Sequence, residues 1–565
     1  MKNIVLVTFI LKLLIIGNIF AQKPNVILIL TDDQGYGDLA CNGNPLIKTP
    51  NLDALHNQSV RFTNFHVGTT CSPTRAMLMT GKNNNKVGVW HTINGREILN
   101  KDEKTMPEFF KEAGYQTAIF GKWHLGDNYP FRPQDRGFNE VLVLGGGGVG
   151  QTPDYWGNDY FGDTYLRNGK PEKFKEYCDD VWFGEAMRFM GQNLNTPFFC
   201  YIPTNVAHGP YNVSENYSKQ YENNPNVPNP AFNGMISKID ENVGKLMQYL
   251  KSSGLDKKTI IVFMTDNGTA AGASFDKSEY AQFGFNANMR GQKGSVYEGG
   301  HRVPFFLYNP LIEKMPKDIK TLASGMDVLP TLLDLCKINT IYSFQGVSLF
   351  PLLKGERIKE RVLVADTQRG EYLIKNSPNS VMTQEWRLVN GKELYNMEKD
   401  PEQRQNLAIE NTGIVNSLNM EYEKWWKDIS IQKSDYQRVI IGSSKQKEVC
   451  LTSHDLHLEK GAPAWNQNMV KKELGGNGFW AIETAKSGTY KFELRRFPRE
   501  AKSQIPVQYV NAKIKIDDKP YEKVINDKKE KVVFKLKLPK GYHQIETYFS
   551  DNQGKSIEAA YVYIK

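Results

Sequence analysis

Apolar residues along this chain fall into two patterns. Up to about residue 434 the dominant form is the short unbroken run: NVILILT at 25–31 and TIIVFMT at 259–265 contain no charged break. Such runs are expected of strands buried on both faces in a parallel sheet. Each empties at once into polar residues, Asp32-Asp33-Gln34-Gly35 after the first and Asp266-Asn267-Gly268 after the second. Open α/β sheets place ligand sites just past the C-terminal ends of their strands, so the two strands are expected side by side with their carboxylates together. Between them, Lys104 to Ala113 has helical spacing with Gly114 as its stop, and Gln116 to Phe120 reads as a strand that leads into Gly121-Lys122-Trp123-His124. Residues 145–170 open with four glycines and carry few aliphatics, the composition of a long functional loop. Its aromatics and carboxamides suit sugar contacts, or else pack on one another.

The second pattern begins near residue 435, after a helix expected around Tyr422 to Trp426. Alternating stretches such as Thr489–Leu494, Ala512–Ile516 and Val532–Leu538 are separated by Gly, Pro, Asp and Asn. This predicts an all-β region, a small sandwich. Its lysine-rich strands read as a solvated face, with steering of a polyanion as the alternative.

A chain of 565 residues exceeds what one core normally holds, so more than one domain is expected. Residues 1–21 have the form of a secretory signal: Lys2, an apolar stretch from Ile4 to Ile16, and Ala21 before Gln22. No cysteine follows the stretch until Cys41, so a lipid anchor is not expected, and nothing later reaches transmembrane length. The formal charge is +9, or +7 once Lys2 and Lys12 are removed with the leader. That balance favours polyanionic partners, while the usual nucleic-acid signatures are missing and no nucleic acid is expected. The six cysteines form no C-x-x-C pair, and setting Cys71 aside leaves an odd five, which excludes a disulfide scaffold but leaves room for one or two bridges.

The densest chemistry lies at Cys71-Ser72-Pro73-Thr74-Arg75, followed by Ala76-Met77-Leu78-Met79-Thr80-Gly81. Pro73 suits the first turn of a helix, which puts Cys71 at or just before its N-terminus and Arg75 one turn on, along the same face. Free backbone N–H groups, the helix dipole and a guanidinium would converge on one sulfur, a setting for an activated nucleophile and an anionic substrate. Asp32, Asp33, Asp266 and Asn267 offer the oxygen ligands that a hard divalent cation requires. Lys122, His124, His208 and Lys293 add cations for an oxyanion and groups suited to proton transfer.

Residues 24 to about 410 resemble the type I, formylglycine-dependent sulfatases. The matching blocks, in order, are NVILILTDDQGYGD, CSPTRAMLMTG, GYQTAIFGKWHLG, AHGP, VFMTDNG, RGQKGSVYEGGHRVP, MDVLPTLLDL and ELYNMEKDP. The resemblance implies an α/β fold, an alkaline-phosphatase-like sandwich around a mixed, mostly parallel sheet, with a smaller α+β C-terminal subdomain and here an appended all-β domain. The corresponding divisions are a signal peptide at 1–21, a catalytic domain at 22–340, a subdomain at 341–434 and the appended domain at 435–565. It also implies one Ca2+ per chain, held by Asp32, Asp33, Asp266, Asn267 and the modified side chain of Cys71, which a formylglycine-forming or anaerobic sulfatase-maturing enzyme would convert to 3-oxoalanine. Arg75 matches the residue that steadies that group, and Lys122 and Lys293 match the sulfate-binding lysines. His208 matches the residue that binds sulfate and protonates the leaving alcohol, and His124 the base that breaks down the sulfated intermediate. Many relatives have a proline beside the histidine in the block that here reads Asn205-Val206-Ala207-His208, which leaves the orientation of His208 open.

The reading is thus an exported sulfatase, periplasmic or else secreted, acting on a sulfated polysaccharide or its oligosaccharides. The leader without lipobox, the cysteine-type site and the Lys-, Asn- and Ile-rich usage resemble those of periplasmic enzymes of marine or gut Bacteroidetes and favour an algal glycan such as ulvan or carrageenan. A glycosaminoglycan sulfatase comes second. A phosphate or phosphonate ester hydrolase of the same superfamily and a non-catalytic protein that binds sulfated glycans are the remaining alternatives; the complete CSPTR run argues against the former.

Overall fold

The computed structural model describes residues 23–430, 436–503, 505–506, 508–525 and 530–565. The leader expected at 1–21 lies outside the described residues. A ten-stranded mixed sheet runs through the first part of the chain. Its centre is five parallel strands in the order Thr259–Thr265, Asn25–Thr31, Phe198–Pro203, Gln116–Lys122 and Glu140–Leu144. The two runs read from the sequence as neighbours pair in register from Asn25 opposite Thr259 to Thr31 opposite Thr265. Phe305–Tyr308 and Val60–Phe62 add antiparallel pairings on one side, with Asp318–Ile319 parallel to Val60–Phe62 at the edge, and Thr164–Arg167 and Lys170–Lys173 add antiparallel pairings on the other.

The absence of polar breaks in the central strands follows from burial on both faces. Val26, Leu28 and Leu30 point into one core, with Ala76 and Leu78 of the helix Cys71–Thr80 and Phe109 and Phe110 of the helix Met106–Glu112. Ile27 and Ile29 point into the other, with the helices Pro50–Gln58, Cys178–Gln192 and Pro230–Ser252. Two boundaries differ from those expected. The helix expected from Lys104 begins at Met106, because Thr105 caps it in a reciprocal box with Glu108. The strand expected to stop at Phe120 continues to Lys122, held by pairing with Leu144.

After this body come a four-stranded antiparallel sheet, from Leu363–Asp366 to Glu393–Asn396, and the helix Thr412–Ile429, whose Leu418, Tyr422 and Trp426 pack on Val381, Leu388 and Leu394. The tail is two β-sheets around a shared core. One contains Trp480–Thr484, Gly541–Ser550 and Asn511–Ile516; the other contains Val449–Thr452, Tyr561–Ile564, Gly488–Arg495 and Val532–Leu538. Alternation places Phe492, Leu494, Phe534, Ile514 and Ile545 inside. Ile98 and Phe131 of the α/β body join that core, so the tail is seated on the body. All six cysteines are free thiols. Among the described residues no helix is long and apolar enough to cross a membrane.

Candidate active site

The C-terminal ends of the parallel strands converge on a pit of buried charge. Asp32 and Asp33 follow Asn25–Thr31, Asp266 and Asn267 follow Thr259–Thr265, Lys122 closes Gln116–Lys122, and His208 lies beyond Phe198–Pro203. The helix that begins at Cys71 has Thr70 as its N-cap and points its first turn into the same pit. Asp33 and His124 both have positive φ, 60° and 57°, conformations that non-glycine residues rarely adopt and that cost energy to hold. Each sits immediately past a strand end, where the chain turns sharply to keep its side chain in the pit.

The charges are paired in a chain. Lys122 Nζ donates to Asp32 Oδ2 at 2.6 Å, and both side chains are wholly buried. Arg75, also wholly buried, donates through Nη2 to Asp266 Oδ2 at 2.9 Å and through Nη1 to the Lys122 carbonyl at 2.7 Å. Lys293 Nζ reaches Asp33 Oδ1 at 2.6 Å, and Asn267 Nδ2 donates to the same oxygen at 3.1 Å. Burial disfavours ionisation of Asp32, yet Lys122, His208 and Arg75 hold it well below the usual carboxylate range. Asp266 goes the other way: burial and the nearby Asp32 push it up to about 7. Burial likewise disfavours the Lys293 ammonium, but Asp33 and Cys71 raise it above the usual lysine value. Three carboxylates this close repel one another and call for added positive charge.

The donor set fits a hard divalent cation. Ligand oxygens of Asp32, Asp33 and Asp266 lie within 4.8 Å of one another. Asp32 Oδ1 and Asn267 Oδ1 are buried and have no hydrogen-bond partner in the protein, a costly state that a cation between them would relieve.

Cys71 faces His124, with Sγ 3.4 Å from Nδ1. The other ring nitrogen, Nε2, lies 3.0 Å from the Thr92 carbonyl, which only accepts. Nε2 therefore carries the proton, and Nδ1 presents a lone pair toward residue 71. Burial, with Lys122 and His454 nearby, pushes the His124 pKa well below normal and keeps this tautomer neutral. His208 is partly open, its side chain 19 % exposed, with Nε2 3.9 Å from Asp33 Oδ2 and Nδ1 donating to the Gly209 carbonyl at 2.6 Å. Val206-Ala207 just before it is a cis peptide, whose flanking groups bond Asp32 on both sides: Asp32 N to Val206 O at 3.0 Å and Ala207 N to Asp32 O at 2.7 Å. All ten residues named from the sequence thus share one site.

The structure adds residues that motif reading missed. The glycine run is a packing surface for both histidines: a Cβ on Gly147 would fall 2.1 Å from His124 Cε1, and one on Gly148 would fall 3.0 Å from the His208 ring. In the same loop the aromatics mostly pack inward. Trp156 meets Phe497 edge-on at 5.5 Å, Tyr165 lies against Trp182, and the Tyr160 hydroxyl donates to the His208 carbonyl. The exposed Arg369 donates to the Thr92 hydroxyl at 3.4 Å, with Asp33 as a negative neighbour. His454 of the tail has its ring centroid 5.9 Å from that of His124. Burial opposes its charge, but Asp455 at 2.9 Å and Glu97 at 3.3 Å keep it protonated. The available signal for His454 was compositional: two of only nine histidines lie in the short segment SHDLH.

The sequence profile described as Sulfatase matches residues 24–338, more than half of the chain. A second, described as N-sulphoglucosamine sulphohydrolase, C-terminal, matches residues 291–427. An uncharacterized sulfatase of Schizosaccharomyces pombe is 26% identical over 522 residues, spanning 71% of this chain and 93% of the relative. Human arylsulfatase A is 30% identical over 373 residues, spanning 60% and 69%. Among solved structures, Ps i-CgsB in complex with k-i-k-neocarrahexaose is 28% identical with a TM-score of 0.65, covering 74% of this chain and 95% of that one.

Proposed function

The chain belongs to the sulfatase family, whose members hydrolyse sulfate esters, and from that premise we propose that it removes sulfate from a sulfated algal polysaccharide or its oligosaccharides, carrageenan or ulvan. The observation that carries this reading is the placement of Cys71, at a helix start, between the lone pair of His124 and the lysine–carboxylate chain of the strand ends. The likeness to Ps i-CgsB, a protein solved with a neocarrahexaose, supports a carrageenan-type substrate. The match at 291–427 to a profile described as N-sulphoglucosamine sulphohydrolase supports a glycosaminoglycan as the second reading.

In this proposal Cys71 would be oxidised after synthesis to formylglycine by a maturing enzyme, and Asp32, Asp33, Asp266 and Asn267 would hold calcium. When bound, the cation would polarise an oxygen ligand and offset negative charge on the sulfate. Arg75 has no freedom to move: its bonds to Asp266 and the Lys122 carbonyl fix it beneath residue 71, where it orders the acidic strand ends. Lys122 and Lys293 are the cations nearest to an incoming sulfate, and their bonds to Asp32 and Asp33 pre-position them at no cost during reaction. His208 lies on the open side, with Nδ1 committed to the Gly209 carbonyl; burial lowers its pKa while Asp33 opposes that, so it would donate to the departing sugar oxygen from Nε2 once that nitrogen has taken up a proton. His124 would take up a proton from the group at residue 71 through Nδ1, because its Nε2 is already committed to the Thr92 carbonyl. Export to the periplasm belongs to the same proposal and rests on the leader at residues 1–21.

The test is sulfate release, followed by ion chromatography, from carrageenan, ulvan, chondroitin and heparan oligosaccharides by protein co-produced with a maturing enzyme. Release from the algal substrates, absent in Cys71→Ala, is expected. Release from glycosaminoglycans alone would replace the substrate assignment with the second reading.

A further inference from the structure

The cleft that opens from His208 has walls from two distant parts of the chain. It has a volume of about 690 Å³, within the range of small-ligand sites. One wall is the glycine-rich loop, with Gln151, Asn158 and Asp159; the other is a non-strand segment of the tail, with Trp465, Asn468 and Lys471. The tail wall is fastened to the loop by main-chain and side-chain bonds. Thr152 N donates to Trp465 O at 3.0 Å, Gln467 N to Gly150 O at 2.9 Å, and Gly157 N to the buried Gln467 Oε1 at 3.0 Å. Since that loop also packs on the rings of His124 and His208, the tail segment is held in fixed register with the histidines.

The chemistry of this wall is that of sugar and anion recognition. The half-buried Trp465 offers an apolar ring face, Asn468 an exposed amide, and Lys471 an exposed ammonium held 5.3 Å from the centroid of the Trp156 ring. Asp159, the acid opposite, has its carboxylate turned to the Phe161 amide at 3.1 Å. We propose that Trp465, Asn468 and Lys471 form a subsite for the sugar next to the one being desulfated, with Trp465 stacking on its ring and Lys471 binding a second sulfate carried by it. This rests on the sulfatase reading of the Cys71 site and makes the appended β-region part of the substrate site.

The test compares a sulfated neocarrahexaose with 4-nitrophenyl sulfate, which has no second sugar. Lys471→Gln and Trp465→Ala should each raise KM for the hexasaccharide about tenfold or more, the loss of one charge-assisted or stacking contact, and Trp465→Phe should recover most of it. Turnover of 4-nitrophenyl sulfate should stay within about twofold of the parent. Equal losses on both substrates, or an unchanged KM for the hexasaccharide, would overturn the subsite. Lys471 is exposed, so its variant does not depend on refolding of the wall. In a Cys71→Ala background, calorimetry should show hexasaccharide binding weakened about tenfold by Lys471→Gln. That weakening in a protein whose matured parent releases no sulfate would leave the subsite standing and sink the sulfatase reading. Failure of the Cys71→Ala protein to bind the hexasaccharide would overturn the subsite.

Discussion

The catalytic sheet end and the outer faces of the tail strands handle charge in opposite ways. At the sheet end Asp32, Lys122, Arg75 and Asp266 are wholly removed from water and survive there only because each is paired. In the tail, lysines such as Lys515 project from the outer face of a strand and pair loosely with acids, Lys515 with Glu546 at 2.8 Å and both partly exposed. Burying ions costs several kcal/mol each before any pairing is counted, so stability alone gives no reason to gather them in a pit. The sandwich buries ions too, but in simple pairs, Arg495 with Glu493 at 2.7 Å and Arg496 with Glu558 at 3.0 Å, whereas the strand ends of the parallel sheet gather three carboxylates in one pit, an arrangement that points to function.

Breaking the buried chain should therefore have the largest effect. Lys122→Met leaves Asp32 facing two other carboxylates without its nearest cation; about 3–5 kcal/mol of stability should be lost in denaturant titrations, and sulfate release with it. Calcium should restore part of the stability but not the activity, since the lysine would still be missing from the sulfate. A variant as stable as the parent without added cation would mean that the pit is not under electrostatic strain. Gly147→Ala sharpens the comparison by leaving every charge in place. Its Cβ would meet the His124 ring at 2.1 Å, so kcat should fall by about a hundredfold, with a stability loss of about 1–3 kcal/mol, smaller than that of Lys122→Met. Full activity would show that the loop yields and does not position the histidine. Smallest is Lys515→Ala in the tail, for which a change under about 1 kcal/mol and unaltered turnover are expected. A larger loss there would show that the sandwich carries more of the stability than its surface pairs suggest.

Legibility followed the same division. Residues that must sit at a strand end or helix start are tied to short motifs, so Asp32, Asp33, Cys71, Lys122, His124, Asp266 and Asn267 could be read in order and are now found together. The strand pairing of 25–31 with 259–265 was legible for the same reason, because two unbroken apolar runs ending in acids have few other places to go. Alternation in 489–494, 512–516 and 532–538 was enough to find the sandwich strands. It did not reveal where the sandwich sits, because Ile98 and Phe131, which anchor it, look in sequence like ordinary core residues. Trp465 carried no signal, and His454 only its place in the short run SHDLH, because both lie between tail strands and their position beside the glycine-rich loop and His124 depends on how those segments dock. The glycine run was recognised as a loop. That its glycines make room for two imidazoles depends on contacts across more than twenty residues of chain, which local pattern does not carry.

The central claim is that residue 71 must be converted to formylglycine and then, in the setting of His124 and the buried lysines, acts on sulfate esters. The most direct measurement is sulfate release across preparations whose conversion of Cys71 to the aldehyde, read by mass spectrometry of the 71–75 peptide, ranges from none to complete. Release should rise in proportion to conversion and vanish where none has occurred, with phosphate esters cleaved far more slowly throughout. Activity that is independent of conversion, or faster on phosphate than on sulfate esters, would contradict the account.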